Sequence, residues 1–264
     1  MGEAAKFSQP HEVACNKDVD YRTCKEVADW NIDPSGRYFH YCDNETIHGL
    51  EYMEGEFPFE QVPEGMTIVC DMSSSIGTKR INWDRTGVVY AGASKNLGPA
   101  GMTLLIVRND LIPNPRPATP FLLDWEVYAK AQTMFMNTPP CWTIYVCGLN
   151  FQHMIKNGGL DRFIADAGEK SRLFYEYMDS TDGFFSNTID PKYRSRVNIP
   201  FRVCNNAEME AKFARDAVAA DLIDLAGHSL VGACRASFYS AMPMEGVQKL
   251  IAFMKTWREQ NPQQ

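Results

Sequence analysis

With 264 residues, 26 of them basic and 33 acidic, the chain carries a net charge of −7 and has no block of Lys and Arg, so neither nucleic acid nor an anionic membrane is expected as a partner. A content of 45% hydrophobic and 22% charged residues is that of a globular protein long enough for one large domain or two smaller ones. The eight cysteines form no CxxC pair and no Cys/His ligand spacing, so no metal site is expected and the thiols are read as reduced, packed and cytoplasmic. The start, MGEAAKFSQP, holds no apolar signal core, and Lys6 stands where a myristoylation signal needs Ser or Thr. No apolar run approaches the roughly 18 residues of a membrane span.

Four short apolar runs come first in chain order: RYFHYC (37–42), MTIVC (66–70), GVVYA (87–91) and MTLLIV (102–107). None alternates polar with apolar residues, so each is expected as a strand buried on both faces of a parallel or mixed sheet, part of a doubly wound layer. Long helices are not visible between them, which argues against a wholly parallel order. Asn137, Thr138, Pro139 and Pro140 predict a helix start, with Thr as N-cap and Pro in the first turn. That helix runs through CWTIYVCGLNFQHMIKN to Gly158 and Gly159, and a second one, 160–179, follows at once. Strand 198–203, helix 207–222, strand 231–238 and helix 244–260 then make a small α/β domain. No internal repeat or low-complexity tract is present.

The stretch AGASKNLGPAG (91–101) places Lys95 among small residues in a turn at the mouth of the sheet, where other backbone or a ligand can come close. Asp71 closes the run MTIVC, at the carboxyl end of a strand, where open α/β sheets bind ligands. Thr46, in DNETIHG, follows the first strand, and Asn137 with Thr138 heads a helix whose free N–H groups suit an anion. Each residue taken alone has a plainer reading: a solvated lysine, a turn-forming aspartate, a capping threonine. The P-loop pattern fails, because Ser94 precedes Lys95 and Asn96 follows it, and Gly92, Gly98 and Gly101 do not form GxGxxG. Taken in order, an amine, a strand-end acid and an anion cradle suit pyridoxal phosphate, which needs a lysine, an acid at its ring nitrogen and donors for its phosphate.

The motifs NETIHG (44–49), CDMSSSI (70–76), YAGASKNLGPAG (90–101), NTPPCWTIYVCGL (137–149) and GHSLVGACRAS (227–237) resemble the phosphoserine aminotransferases, and the likeness runs along essentially the whole chain. The resemblance implies an α/β, fold type I pyridoxal-phosphate-dependent transferase, a class V aminotransferase. Its large α/β/α domain, with a mainly parallel sheet, would span 1–163 and be incomplete at its N-terminal side, and a smaller C-terminal α/β domain would span 164–264. By position in these motifs Lys95 resembles the Schiff-base lysine, Asp71 the partner of the ring nitrogen, and Thr46 the residue bonded to the ring hydroxyl. Ser94, Asn137 and Thr138 correspond to cofactor-phosphate positions, the last two reaching across a homodimer. Arg235 resembles the arginine that grips the substrate α-carboxylate, and His228 a histidine near the substrate's phosphate or side-chain carboxylate. The implied reaction moves the amino group of L-glutamate to 3-phosphohydroxypyruvate, giving O-phospho-L-serine and 2-oxoglutarate, a step of serine biosynthesis in the cytoplasm.

The chain departs from the family pattern in three ways. Ser94 replaces a glutamine, keeping a donor with shorter reach, and Ser229 replaces an arginine beside His228, which removes a charge from phosphate recognition. Family chains also carry about a domain's worth of residues upstream, on the order of a hundred, and nothing in the first 27 residues resembles them. The segment before Tyr38 reads as the last piece of that half, which leaves sheet edges open. Two alternatives stand beside the working enzyme. One is a shortened, inactive family member that binds or modulates a full-length subunit; the other is a transaminase of the same fold for unphosphorylated keto acids, favoured by Ser229.

Overall fold

The four apolar runs fold into one sheet in a computed structural model that describes residues 1–133 and 135–262. Strand β1 (Tyr38–Cys42) is followed by a small antiparallel pair, β2 (Asn44–Glu45) and β3 (Leu50–Glu51), and then by β4 (Thr67–Asp71), β5 (Thr86–Gly92) and β6 (Thr103–Val107). The spatial order is β1-β4-β5-β6, with β1, β4 and β5 parallel and β6 antiparallel at the edge. Residues 72–85 link β4 to β5 without a helix, and their length meets the dozen or so residues a parallel crossover needs. The expectation of two-sided burial holds for β5, where four successive residues, Thr86 to Val89, are buried, and not for β1, β4 or β6. Along β1, Phe39 is buried while Tyr38, His40 and Cys42 are exposed, and β4 alternates in the same sense. Phe39, Ile68, Cys70, Val89 and Ala91 pack into the cores beneath the sheet, whereas the opposite face is exposed along β1 and partly exposed along β4. Apolar character on both parities of these two strands therefore reflects one packed face and one more open to solvent.

A short helix, α1 (Trp125–Lys130), precedes α2 (Cys141–Lys156) and α3 (Gly159–Asp179). α2 begins two residues later than a Thr138 cap requires: Pro140 holds the cap position and no side chain caps it. The physical cause is the Pro139–Pro140 pair, since a residue before proline is disfavoured in the α region, and both Thr138 and Pro139 are in that situation. Thr138 and Asn137 are therefore exposed in the segment ahead of the helix.

A second, three-stranded antiparallel sheet of β7 (Phe185–Ser186), β8 (Asn198–Val203) and β9 (Cys234–Ser237) packs against α3, α4 (Ala207–Ala219) and α5 (Met244–Gln260). β8 and α5 match their sequence expectations residue for residue, because alternation in NIPFRV and the stripe Val247, Leu250, Met254, Trp257 each bury one face. Phe174, Phe185, Phe201 and Phe213 interlock here with no more than 1% exposure, each contributing about 2–3 kcal/mol of apolar burial. β9 is shorter than expected, because residues 228–232 form a turn ahead of it. No disulfide joins the described cysteines, and only Cys24, Cys70, Cys147 and Cys234 are buried, so the packed reading applies to half of the eight.

The two sheets are joined by buried polar contacts. Asn44 donates to Ser74 Oγ (2.7 Å) and Asn198 Oδ1 (2.9 Å) and accepts from Ser195 Oγ (2.5 Å), so both ends of its amide are used. Alongside, Lys79 Nζ pairs with Asp43 (2.8 Å) and Glu51 (3.0 Å) and also donates to Tyr52 O, while Arg196 Nη2 reaches Glu51 at 2.8 Å. No helix among the described residues is long and apolar enough to cross a membrane.

Candidate active site

Asp71 is the last residue of β4, and its Oδ1 accepts both the backbone N–H (2.9 Å) and the hydroxyl (2.6 Å) of Ser73. The same hydroxyl accepts the backbone N–H of Gly92 at 3.0 Å. One serine thus ties the acid at the end of β4 to the end of β5, where the Lys95 loop begins. The carboxylate lies on the open face of the sheet with its register neighbours Cys42 and Tyr90. Burial, with the Asp71 charge and hydrogen bond adding to it, pushes the Tyr90 phenol well above its ordinary pKa, so it stays a donor. Its oxygen also sits 2.9 Å from His40 Nε2, and the two rings are stacked. Cys42 stands beside Asp71, and although the residue is exposed at the strand end, desolvation of its thiol and the neighbouring carboxylates push it up to about 12, which disfavours the thiolate.

The Lys95 loop is closed by Gly98 N–H to Ala93 O (2.7 Å) and by Ala93 N–H to Met102 O (2.9 Å). Lys95 itself is half-buried, and its amine makes no hydrogen bond or ion pair with any described residue. Ser94 beside it is exposed. The smallness of this loop serves chain packing. A Cβ on Gly98 would lie 2.8 Å from Cys147 Sγ, so α2 approaches the loop only because residue 98 has no side chain.

Thr46 lies in the turn between β2 and β3, shaped by Glu45, whose carboxylate accepts from Ile47 N (2.8 Å) and His48 N (2.7 Å). The turn closes at Gly49, with φ of +85° and Pro200 Cδ only 2.5 Å from where a Cβ would stand, so that β8 seats directly on it. Arg235, from β9, donates through Nη1 to Thr46 O at 3.0 Å. His228 heads the 228–232 turn and its Nδ1 accepts the Leu230 N–H at 3.3 Å, which leaves Nε2 as the proton-bearing nitrogen of the neutral ring. Ser229 is exposed beside it.

Of the residues singled out in the sequence, the fold joins Asp71 to the Lys95 loop and Arg235 to Thr46. His228, Asn137 and Thr138 form no hydrogen bond or ion pair with that group among the described residues. His40, Tyr90 and Asn96 were not anticipated. A period-2 reading of RYFHYC would have put His40 on the face of Cys42, the register partner of Asp71; Asn96 carried no comparable signal. No group of three or more potential metal ligands occurs among the described residues.

A family profile described as aminotransferase class-V matches residues 8–250. The chain is 38% identical over 256 residues to phosphoserine aminotransferase 2, chloroplastic, of Arabidopsis thaliana, which covers 97% of this chain and 60% of the plant protein. Its fold superposes on phosphoserine aminotransferase from Bacillus circulans subsp. alkalophilus with a TM-score of 0.92 at 32% identity, over 98% of this chain and 70% of that one. A PLP-bound phosphoserine aminotransferase from Trichomonas vaginalis matches with a TM-score of 0.81 at 35% identity, over 89% and 64% of the two chains. The chain thus spans about two thirds of the length of these relatives.

Proposed function

The chain belongs to the phosphoserine aminotransferases of class V, and from that premise we propose that it transfers the amino group of L-glutamate to 3-phosphohydroxypyruvate with pyridoxal 5'-phosphate as cofactor. The observation that carries the proposal is the Ser73 hydroxyl bound at once to Asp71 and to Gly92 N–H, which ties a strand-end acid to the start of the loop that carries half-buried Lys95. That donor set fits the group: an amine unblocked by a carboxylate, an acid for a ring nitrogen, and hydroxyls for polar substituents. When bound, the cofactor supplies an aldehyde for amines and an electron-accepting ring.

The chain's own residues divide the remaining work. Lys95 Nζ would hold the cofactor through its aldehyde and would be the base that takes up and returns the substrate Cα proton. Asp71, oriented by Ser73, would face the ring nitrogen and favour its protonated form. Arg235 presents a planar fork to the substrate α-carboxylate, held in place by its bond to the Thr46 carbonyl. His228 offers Nε2–H to the second anionic group of the substrate. Ser94 donates to the cofactor phosphate. Asn137 and Thr138, exposed and with no side-chain hydrogen bond to a described residue, serve the cofactor of a second copy, and the protein acts as a cytoplasmic homodimer. The division into a cofactor part (1–163) and a smaller part (164–264) belongs to the proposal, with α3 running across it.

The test is borohydride reduction of the folded chain with pyridoxal phosphate, peptide mass analysis, and turnover of the two substrates. Label on Lys95 that vanishes in Lys95→Ala is expected; a labelled peptide elsewhere overturns the reading. The open face of β1 and β4 favours a second reading, in which the chain binds a longer family subunit and does not turn over. Turnover by the isolated chain removes it.

A further inference from the structure

Asn96, directly after Lys95, is 2% exposed, and three separate parts of the fold converge on it. Its Nδ2–H donates to Ile76 O, in the segment after β4, and its Oδ1 accepts the backbone N–H of Ser240 at 2.7 Å. Ile76 O can only accept and a backbone N–H can only donate, so the two partners fix which way the amide points. The Asn96 carbonyl accepts the Ser240 hydroxyl at 2.9 Å, and Asn150 of α2 donates to Leu97 O at 2.9 Å. Ser240 lies on the short connection between β9, which carries Arg235, and α5. That connection is itself fixed from the far side: buried Lys170 donates to Tyr239 O (3.2 Å) and Met242 O (2.8 Å), and Asn198 donates to the Tyr239 hydroxyl at 3.1 Å. Asn96 is therefore the direct bonded link between the Lys95 loop and the chain segment bearing Arg235.

We infer that Asn96 is a positioning residue, which sets the Lys95 amine in register with Arg235 so that a substrate held by its carboxylate presents its Cα hydrogen to Nζ. The inference rests on the aminotransferase reading above. A merely structural role for Asn96 would cost stability alone. A positioning role adds a specific loss in the one step that needs the lysine and the arginine at a fixed separation, for which about 1 Å of misplacement can cost on the order of 100-fold.

Asn96→Asp keeps the shape and the acceptor for Ser240 N–H but loses the donor to Ile76 O. Ser240→Ala removes the hydroxyl bond to the Asn96 carbonyl, and Ser240→Thr restores it. In the cofactor-free protein, hydrogen exchange of residues 93–98 is expected to speed up at least about tenfold in Asn96→Asp, as the loss of about one buried hydrogen bond implies, with α5 unchanged. In the loaded protein, Lys95 still takes the borohydride label, while Cα-proton transfer slows roughly tenfold or more in Asn96→Asp and about fivefold in Ser240→Ala. The isotope effect with Cα-deuterated glutamate rises in both, and Ser240→Thr returns it to the wild-type value. Should Asn96→Asp fail to fold, the Ser240 pair decides alone. Wild-type exchange and isotope effects in these variants, in a protein that labels and turns over, overturn the inference by itself. A wild-type chain without label at Lys95 overturns the functional reading and this inference with it.

Discussion

Arg235 Nη1 donates to the carbonyl of Thr46 at 3.0 Å, a bond across 189 positions of sequence that seats β9 on the turn between β2 and β3. The guanidinium is thereby half committed to protein and half available. Arg235→Lys keeps the charge but not the planar fork, so KM for glutamate is expected to rise roughly 10- to 100-fold, the equivalent of about 1.5–3 kcal/mol for a charged hydrogen bond. Steady-state kinetics read this directly. An unchanged KM would remove Arg235 from the carboxylate grip.

The Tyr90 phenol stands between His40 and Asp71. Tyr90→Phe deletes a donor to the acid without changing the strand's packing volume. Cofactor affinity is expected to fall about five- to tenfold, as for the net loss of one ordinary hydrogen bond of about 1–1.5 kcal/mol. Titration of the visible absorption band with pyridoxal phosphate measures it, and equal affinities in the two proteins would show that Asp71 is oriented by Ser73 alone.

Gly98 allows α2 to approach the Lys95 loop, and an added Cβ would meet Cys147 Sγ at 2.8 Å. Cys147 is 1% exposed and has nowhere to turn. Gly98→Ala is expected to destabilise the protein by about 1–3 kcal/mol through overpacking. Adding Cys147→Ala should recover a good part of that loss, because the clash partner is gone. Denaturant midpoints of the two single variants and the double variant form the cycle; strictly additive losses would contradict the contact.

The buried charges beneath the first sheet give an acid-sensitive term. Burial opposes ionisation of Glu51, but Lys79 and Arg196 overcome it and hold its pKa below the ordinary 4.5. The folded state thus binds the Glu51 proton less readily than the unfolded chain does. Its stabilisation is complete above about pH 4.5 and is lost as the pH falls through the depressed folded value. Asp43 works in the opposite sense, since burial raises its pKa despite Lys79 and Ser75. Glu51→Gln should cost roughly 3–5 kcal/mol at neutral pH, with Arg196 left short of its partner, and less as the pH drops below 4.5. Urea unfolding of both proteins from pH 7 to pH 3.5 checks it. A difference independent of pH would rule out an ionised Glu51.

Much of the fold was legible because local chemistry and tertiary need agree. NIPFRV and MEGVQKLIAFMKTWREQ carry their periods plainly, and β8 and α5 appear over those residues. The start of α2 is hidden because Thr138 has the chemistry of a cap, whereas two successive prolines keep the chain out of the helical region until Cys141. The single open face of β1 and β4 was hidden, since a hydrophobic run does not say whether anything covers its second side.

The sequence by itself determined the family, the strand-end acid at Asp71, the lysine in its turn, and the order in which the chemical groups occur, all of which are local patterns of residue type and spacing. Only the tertiary structure decided what each group rests on: Ser73 bridging to Gly92, Arg235 on the Thr46 carbonyl, His40 behind Tyr90, and Asn96 caught between Ile76 and Ser240. Those are contacts between residues up to 189 positions apart. Their partners are fixed by how two sheets pack, which no pattern confined to one stretch of chain can specify.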